Sequence, residues 1–340
     1  MAIPGGSLEG DFVKRVLGIA LAAALFASAA PAPVLAQVPL TPSAQLPAGA
    51  VDPNETLVEE LVVTARLPGP AWWRVSDGDS TVYVLGAPTV APKRQQWDQL
   101  QFNRRLEGAN AVILPFTGLK VKLAGAPGAA ISYLRLKSSK PFEDSQDPAQ
   151  RERFAAVRTK LGQPADHYKT NHPLAAALML TDDYREKEGL TTADPTKLIK
   201  LLAQRSGVKI VQRSYDLGPL LGAVTRTSKA AGSACLDEVM GEIEAGPGRT
   251  LAASRAWAVG DVGGALGAER SYERCIAVTP GALTFDARVK RDLTNDIEAA
   301  LKTPGHTIAV APLRTLLAQG GVLDQLRAKG YEVKTPGDED

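Results

Sequence analysis

The run Ala111-Val112-Ile113-Leu114 is apolar at every position and lacks the alternation of a half-solvated strand. A strand of that kind needs cover on both faces, which places it inside a sheet flanked by helices. Two further strand-like runs, 72–75 and 81–86, flank Asp77-Gly78-Asp79, a hairpin turn signal. A helical pattern follows over 93–107 and closes at Gly108. Near the other end, a strand over 306–311 lies between helical patterns at 287–302 and 315–329. Gly330 then caps the last helix before a strand over 331–334. Between these ends the periodicity is helical. Phe154, Val157 and Leu161 mark one face of 148–161, and Pro173 stands at a first helical position ahead of 174–180. Helices are expected at 196–206, 217–230, 233–245 and 248–259, with a strand at 209–212. Strands at both ends with helices between predict an α/β fold: one mixed sheet built from N- and C-terminal segments around a largely helical middle.

Charge excludes some functions. The 39 basic and 37 acidic side chains leave a net charge of +2, too little to organise binding to nucleic acid or anionic lipid. Lys14 and Arg15 precede an apolar run from Val16 to Ala30, and Val34-Leu35-Ala36 follows. Basic residues, an apolar run and small residues in that order predict a signal peptide over 1–36, cleaved near Ala36. The run is about 15 residues, short of the roughly 20 that a membrane span needs. The expected product is periplasmic or secreted, with no membrane span after cleavage. Cys235 and Cys275 are the only cysteines. An even count in an oxidising compartment favours one disulfide, and closing a loop of that size stabilises a fold by about 4 kcal/mol.

Residues 37–68 read as a disordered Pro/Ala-rich linker that contains one β-rich stretch, Val58-Glu59-Glu60-Leu61-Val62-Val63-Thr64-Ala65-Arg66. It suits an edge strand or an ordered lead-in, and the prolines after it bar a central strand. The nonapeptide also resembles the TonB box of outer-membrane transporters, which implies a contact with TonB by strand addition. A single domain is expected over 69–336, with a solvated acidic tail over 337–340.

Three stretches resemble the TraB/GumN family, the bacterial relatives of the Tiki proteases. They are the opening hairpin from Gly69 to Gly86, the Ala256-Trp257-Ala258-Val259-Gly260-Asp261 motif between the cysteines, and the closing helix and strand from Gly321 to Val333. The resemblance implies a divalent-metal hydrolase site made from two Gly-x-x-His motifs at strand ends, a glutamate after the next strand and an Arg-Asn pair on the penultimate helix. This chain departs from that pattern. The first motif reads Gly86-Ala87-Pro88-Thr89, the glutamate is Pro115, the second motif reads Ala311-Pro312-Leu313-Arg314, and the pair is Arg291-Asp292. An arginine repels a cation, so no metal or other cofactor is expected, and no catalytic residue is intact.

Other residues do not restore the chemistry. His167 and His172 are five apart, not at the spacing of a helical zinc pair, and read as surface or capping residues. His306 stands at the start of its strand, the wrong end for the site. Gly260 to Gly264 follow a helix and read as a turn, not a phosphate cradle. Arg291 and Arg314, if both face the sheet edge, make it cationic and suited to a small anionic ligand. An internal ion pair of Arg314 with Asp292 is the rival arrangement. The readings left open are a non-catalytic binding or scaffolding protein, a hydrolase or peptidase with a rearranged site, and a TonB-associated periplasmic adaptor.

Overall fold

Adjacent tryptophans begin the sheet. In strand β1 (Trp72–Ser76), successive side chains point to opposite faces, yet Trp72 and Trp73 are both buried, so the strand is covered on both sides. The computed structural model describes residues 52–338 apart from Arg66, residues 117–118, 121–125 and Leu217. All of these belong to one compact unit, Ser43–Asp340. The expected signal peptide, its cleavage point at Ala36 and the linker to residue 51 lie outside the described residues.

In chain order, β1 is followed by β2 (Ser80–Ala87), β3 (Ala91–Pro92), α1 (Leu100–Leu106), β4 (Val112–Leu114), β5 (Leu119–Lys120), α2 (Ala126–Leu136), α3 (Pro148–Lys160) and α4 (Pro173–Lys187). Then come β6 (Leu190–Thr191), α5 (Thr196–Arg205), β7 (Ile210–Gln212), β8 (Tyr215–Asp216), α6 (Gly218–Arg226), α7 (Lys229–Ala245), α8 (Gly248–Ala258) and α9 (Val262–Ala265). The chain closes through α10 (Ser271–Ala277), α11 (Ala282–Leu301), β9 (Gly305–Pro312), α12 (Leu313–Leu317), α13 (Val322–Ala328) and β10 (Glu332–Lys334).

Six strands form a mixed sheet in the order β10-β1-β2-β9-β4-β7. The β1–β2 hairpin and the β1–β10 pair are antiparallel, and β2, β9, β4 and β7 run parallel. These four strands therefore end at one edge, at Ala87, Pro312, Leu114 and Gln212. The fully apolar β4 lies inside the sheet between β9 and β7, with all three residues buried. Phe102 of α1, Ile199 of α5, Ile297 of α11 and Leu323 of α13 pack into the sheet's core. A second core, built on Phe142, Phe154, Tyr168, Leu174, Leu236 and Met240, holds the helical middle together. There the Cys235 and Cys275 sulfurs lie 1.96 Å apart, at bonding distance, between α7 and α10. Among the described residues, no helix is long and apolar enough to cross a membrane.

Trp257 of α8 donates its indole N–H to the Gly86 carbonyl at 2.6 Å. A Cβ at Gly86 would strike Leu313 Cδ1 and come within 3.0 Å of the Trp73 ring, so glycine lets β2 pack this closely against Leu313 and Trp73.

Several expectations change. The helix expected over 93–107 is only Leu100–Leu106. Arg94 adopts a positive φ of 61°, and Trp97 turns inward against Phe102 and Trp257. The helix expected over 315–329 breaks into α12 and α13, where Gly320 and Gly321 make a turn and the Gln319 N–H reaches the Thr56 carbonyl at 2.9 Å. At the C-terminus, Asp338 is not merely solvated: its carboxylate accepts from the Thr335 N–H and hydroxyl.

The largest correction concerns residues 52–65, which the composition assigned to a disordered linker with a strand-like end. Glu59–Leu61 forms a 3-10 turn with Leu61 fully buried. The Val58 N–H bonds the Leu317 carbonyl, the Trp73 indole bonds the Leu61 carbonyl at 3.3 Å, and the Ala65 N–H bonds the Gly260 carbonyl. Gly260, at φ +78°, permits this contact, because a Cβ there would lie 2.6 Å from that of Ala65. Strand addition to TonB requires a free extended segment, and this one is folded onto its own domain.

Replacing Gly86 with alanine should destabilise the fold by about 1–3 kcal/mol through overpacking. A urea midpoint lowered at constant slope would confirm it; an unchanged midpoint would show that Leu313 and Trp73 yield without cost.

Candidate functional site

The parallel strands present their C-terminal ends, and the chain leaves each through a position that the sequence reading assigned to the site. After β2, Thr89 is exposed. After β4, the Pro115 carbonyl accepts from the Gln212 side chain at 3.0 Å. After β9, Pro312 starts α12 and sets Arg314 in its first turn.

Arg314 is half-buried and donates to the carbonyls of Leu266 at 2.5 Å and Asn54 at 3.5 Å. Desolvation lowers its pKa, and the like charge of Arg270 lowers it further, while Asp52 opposes both. Arg270, just ahead of α10, forms an ion pair with Asp52; the two side chains are only 11% and 4% exposed. The Nε of Arg270 is buried without a hydrogen-bond partner. Residues around Asp52 tie to α11: the Asn54 amide donates to Asp286 at 3.0 Å, and Lys290, itself paired with Asp286 at 2.8 Å, donates to the Pro53 carbonyl at 3.1 Å. The site is therefore a pair of mutually repelling guanidiniums set against Asp52, with Glu273 and Glu55 adding to its effect on Arg314.

Titratable groups continue from there into the helical region. Burial pushes the Glu273 carboxyl above its usual range, with Arg185 and Arg270 opposing the shift. Glu242 is also raised by burial and accepts from the Ser271 hydroxyl. Arg185 stacks over the Tyr272 ring at 4.6 Å.

The expected pairing of Arg291 with Arg314 does not form. Arg291 is exposed on α11, whereas Arg314 turns to backbone carbonyls. Nor does Asp292 pair with Arg314. It accepts from the Tyr215 hydroxyl at 3.0 Å and lies 3.7 Å from Arg288. Tyr215 meets Phe116 and Phe285 edge-on, and burial, followed by the bond to Asp292, pushes its pKa up to about 12.

The histidines have structural partners. His172 caps α4 through Nδ1 and bonds the Thr227 carbonyl through Nε2 at 2.9 Å. His167 contacts Asp183 at 2.8 Å, and His306 bonds the Arg105 carbonyl at the far end of β9. Of the expected turn over Gly260 to Gly264, Gly260 leads into Asp261, which caps α9, and Val262–Gly264 lie within that helix. Two open clefts, of about 790 and 840 Å³, lie elsewhere. The first sits beside Pro173 and Lys229, at the starts of α4 and α7. The second is lined by Gly108–Asn110 and Ser206–Lys209, at the opposite edge of the sheet.

The TraB/PrgY/gumN family profile matches residues 71–335. The chain belongs to this family. No curated protein and no solved structure gives a match. The metal implied by the family resemblance does not fit the side chains present. At the positions that the resemblance assigns to it, Thr89 offers a hydroxyl, Pro115 no side-chain donor and Arg314 a half-buried cation that repels a metal ion. Among the described residues, no group of three His, Cys, Asp or Glu could hold a metal ion.

Sequence reasoning missed Asp52, Arg270 and Glu273. Asp52 and Arg270 are 218 positions apart, and no spacing rule connects them. The one usable signal was a set of charged residues, Glu269, Arg270, Glu273 and Arg274, crowded beside Cys275.

A carboxyl with a raised folded-state pKa binds more protons folded than unfolded, so its contribution to stability falls as pH rises from the unfolded value through the folded one. Glu273→Gln should therefore raise stability at pH 7 and flatten its decline above the normal carboxylate range. Urea denaturation across pH 4–8 reads this; an unchanged slope would mean that Arg185 and Arg270 fully compensate the burial.

Proposed function

We propose that this protein is an exported, non-catalytic member of the TraB/PrgY/gumN family that works by binding or scaffolding in the periplasm or outside the cell. One observation carries the reading: the strand-end positions hold Thr89, Pro115 and Arg314, and Arg314 is committed to two backbone carbonyls. The ancestral chemistry needs basic nitrogen and carboxylate donors there, which these residues do not supply. Binding suits the groups that remain, because guanidiniums in a desolvated edge favour carboxylate or phosphate groups.

A second reading, a hydrolase or peptidase with a rearranged site, is favoured by Glu242 and Glu273, whose raised carboxyls suit general acid work. One experiment separates the two. Calorimetric titration of the purified protein with Mn²⁺, Co²⁺ and Zn²⁺ should give no stoichiometric binding at micromolar concentration, and an unfolded peptide pool should stay intact. Peptide cleavage, whether or not a chelator abolishes it, would establish the enzyme instead.

A further inference from the structure

Residues 52–56 lie at the candidate site without contributing to either hydrophobic core. Leu57 and Val58 are the first apolar side chains of this segment to pack, and Leu61 the first to be fully buried. Before them, the attachments are polar: Asp52 on Arg270, the Asn54 carbonyl on Arg314, the Asn54 amide on Asp286, the Pro53 carbonyl on Lys290 and the Thr56 carbonyl on the Gln319 N–H. Glu55 and Thr56 are exposed. Lifting this short strap therefore withdraws no side chain from either core, and water or a ligand can replace the polar bonds it makes.

What it would uncover is specific. The strap holds both guanidiniums, Arg270 through Asp52 and Arg314 through the Asn54 carbonyl, and Asp52 leads the carboxylates, with Glu273 and Glu55, that offset the like charge of Arg270 on Arg314. Arg270 already has a buried Nε without an acceptor, so the Asp52 carboxylate leaves donor capacity unused. Arg270 with its unused donor, and Arg314 with the donor that lifting the Asn54 carbonyl would free, match the planar oxygens of a carboxylate or the oxygens of a phosphate. We propose that Arg270 and Arg314 form a binding site for an anionic carboxylate- or phosphate-bearing ligand, and that Asp52 occupies it as an internal pseudo-ligand which the true ligand displaces. The inference rests on the binding reading above and gives that reading a ligand class and a gate. Arg291 takes no part in it.

An internal occupant lowers apparent affinity by the fraction of molecules in which the site is open. Asp52→Asn in the full chain removes the competing charge and keeps the side chain's shape. Calorimetry with succinate and with inorganic phosphate should show the variant binding one of them about tenfold or more tightly than the parent. Whichever probe gains identifies the ligand chemistry, and adding Arg314→Ala should abolish the gain. Equal affinity of folded parent and variant for both probes, absence of binding included, would overturn the proposal, as would a gain that survives Arg314→Ala. Should Asp52→Asn not fold, the unmutated chain supplies the test. Saturating succinate or phosphate should accelerate cleavage by a glutamate-specific protease at Glu55, relative to an unfolded control protein. Unchanged or slower cleavage would refute displacement. None of these readouts involves hydrolysis by the protein, so failure here leaves the non-catalytic reading standing, and peptide cleavage would remove that reading alone.

Discussion

The indole of Trp257 and the carbonyl of Gly86, 2.6 Å apart, join the helical middle to the C-terminal edge of the sheet. The bond is buried, so an unpaired indole or carbonyl there would cost about 1–3 kcal/mol. Leu313 presses against the same glycine as the chain turns from β9 into α12. Three segments distant in sequence are thus held together at the backbone of one residue. That junction fixes where Arg314 points, because Arg314 follows Leu313 directly. The edge chemistry depends on how tightly β2, α8 and α12 are packed.

Around this junction the polar groups are cationic, which is the reverse of a metal site. Imidazole and carboxylate donors converging at strand ends would gather a cation. Here two guanidiniums gather a carboxylate from the chain itself. Their mutual repulsion in a desolvated setting makes some anion necessary, and Asp52 supplies it. Burial in the helical region then raises the carboxyls of Glu242 and Glu273, which hold their protons more strongly than free side chains do. Phe116, Tyr215 and Phe285 meet edge-on beyond the strand ends of β4 and β7, and the Tyr215 hydroxyl donates to Asp292.

Local sequence signals carried much of the fold. The apolar run at Val112–Leu114 announced an interior strand, the Asp-Gly turn announced the hairpin, and the glycines after helical patterns marked their ends. These signals work because each depends on residues a few positions apart. They failed where a distant partner overrode local preference. Trp97 unwinds the start of the first expected helix by turning into the core, and contacts at Leu317 and Gln319 dock the segment after residue 52. The β-branched run from Val62 to Thr64 looked like a strand, yet the hydrogen bonds of its neighbours go to Leu317 in α12 and to Gly260 in the turn after α8.

The amino-acid order by itself determined the family and the mixed α/β architecture, because both follow from local motifs and from the order of strand and helix patterns. It also marked Arg314 and Arg291 as the new charges near the edge. Only tertiary structure decided that Arg291 faces solvent, that Arg314 turns inward to carbonyls, and that Asp52 closes on Arg270 across the whole length of the domain. Charge pairing at such separation follows from which surfaces the core packing brings together, and no local pattern encodes that.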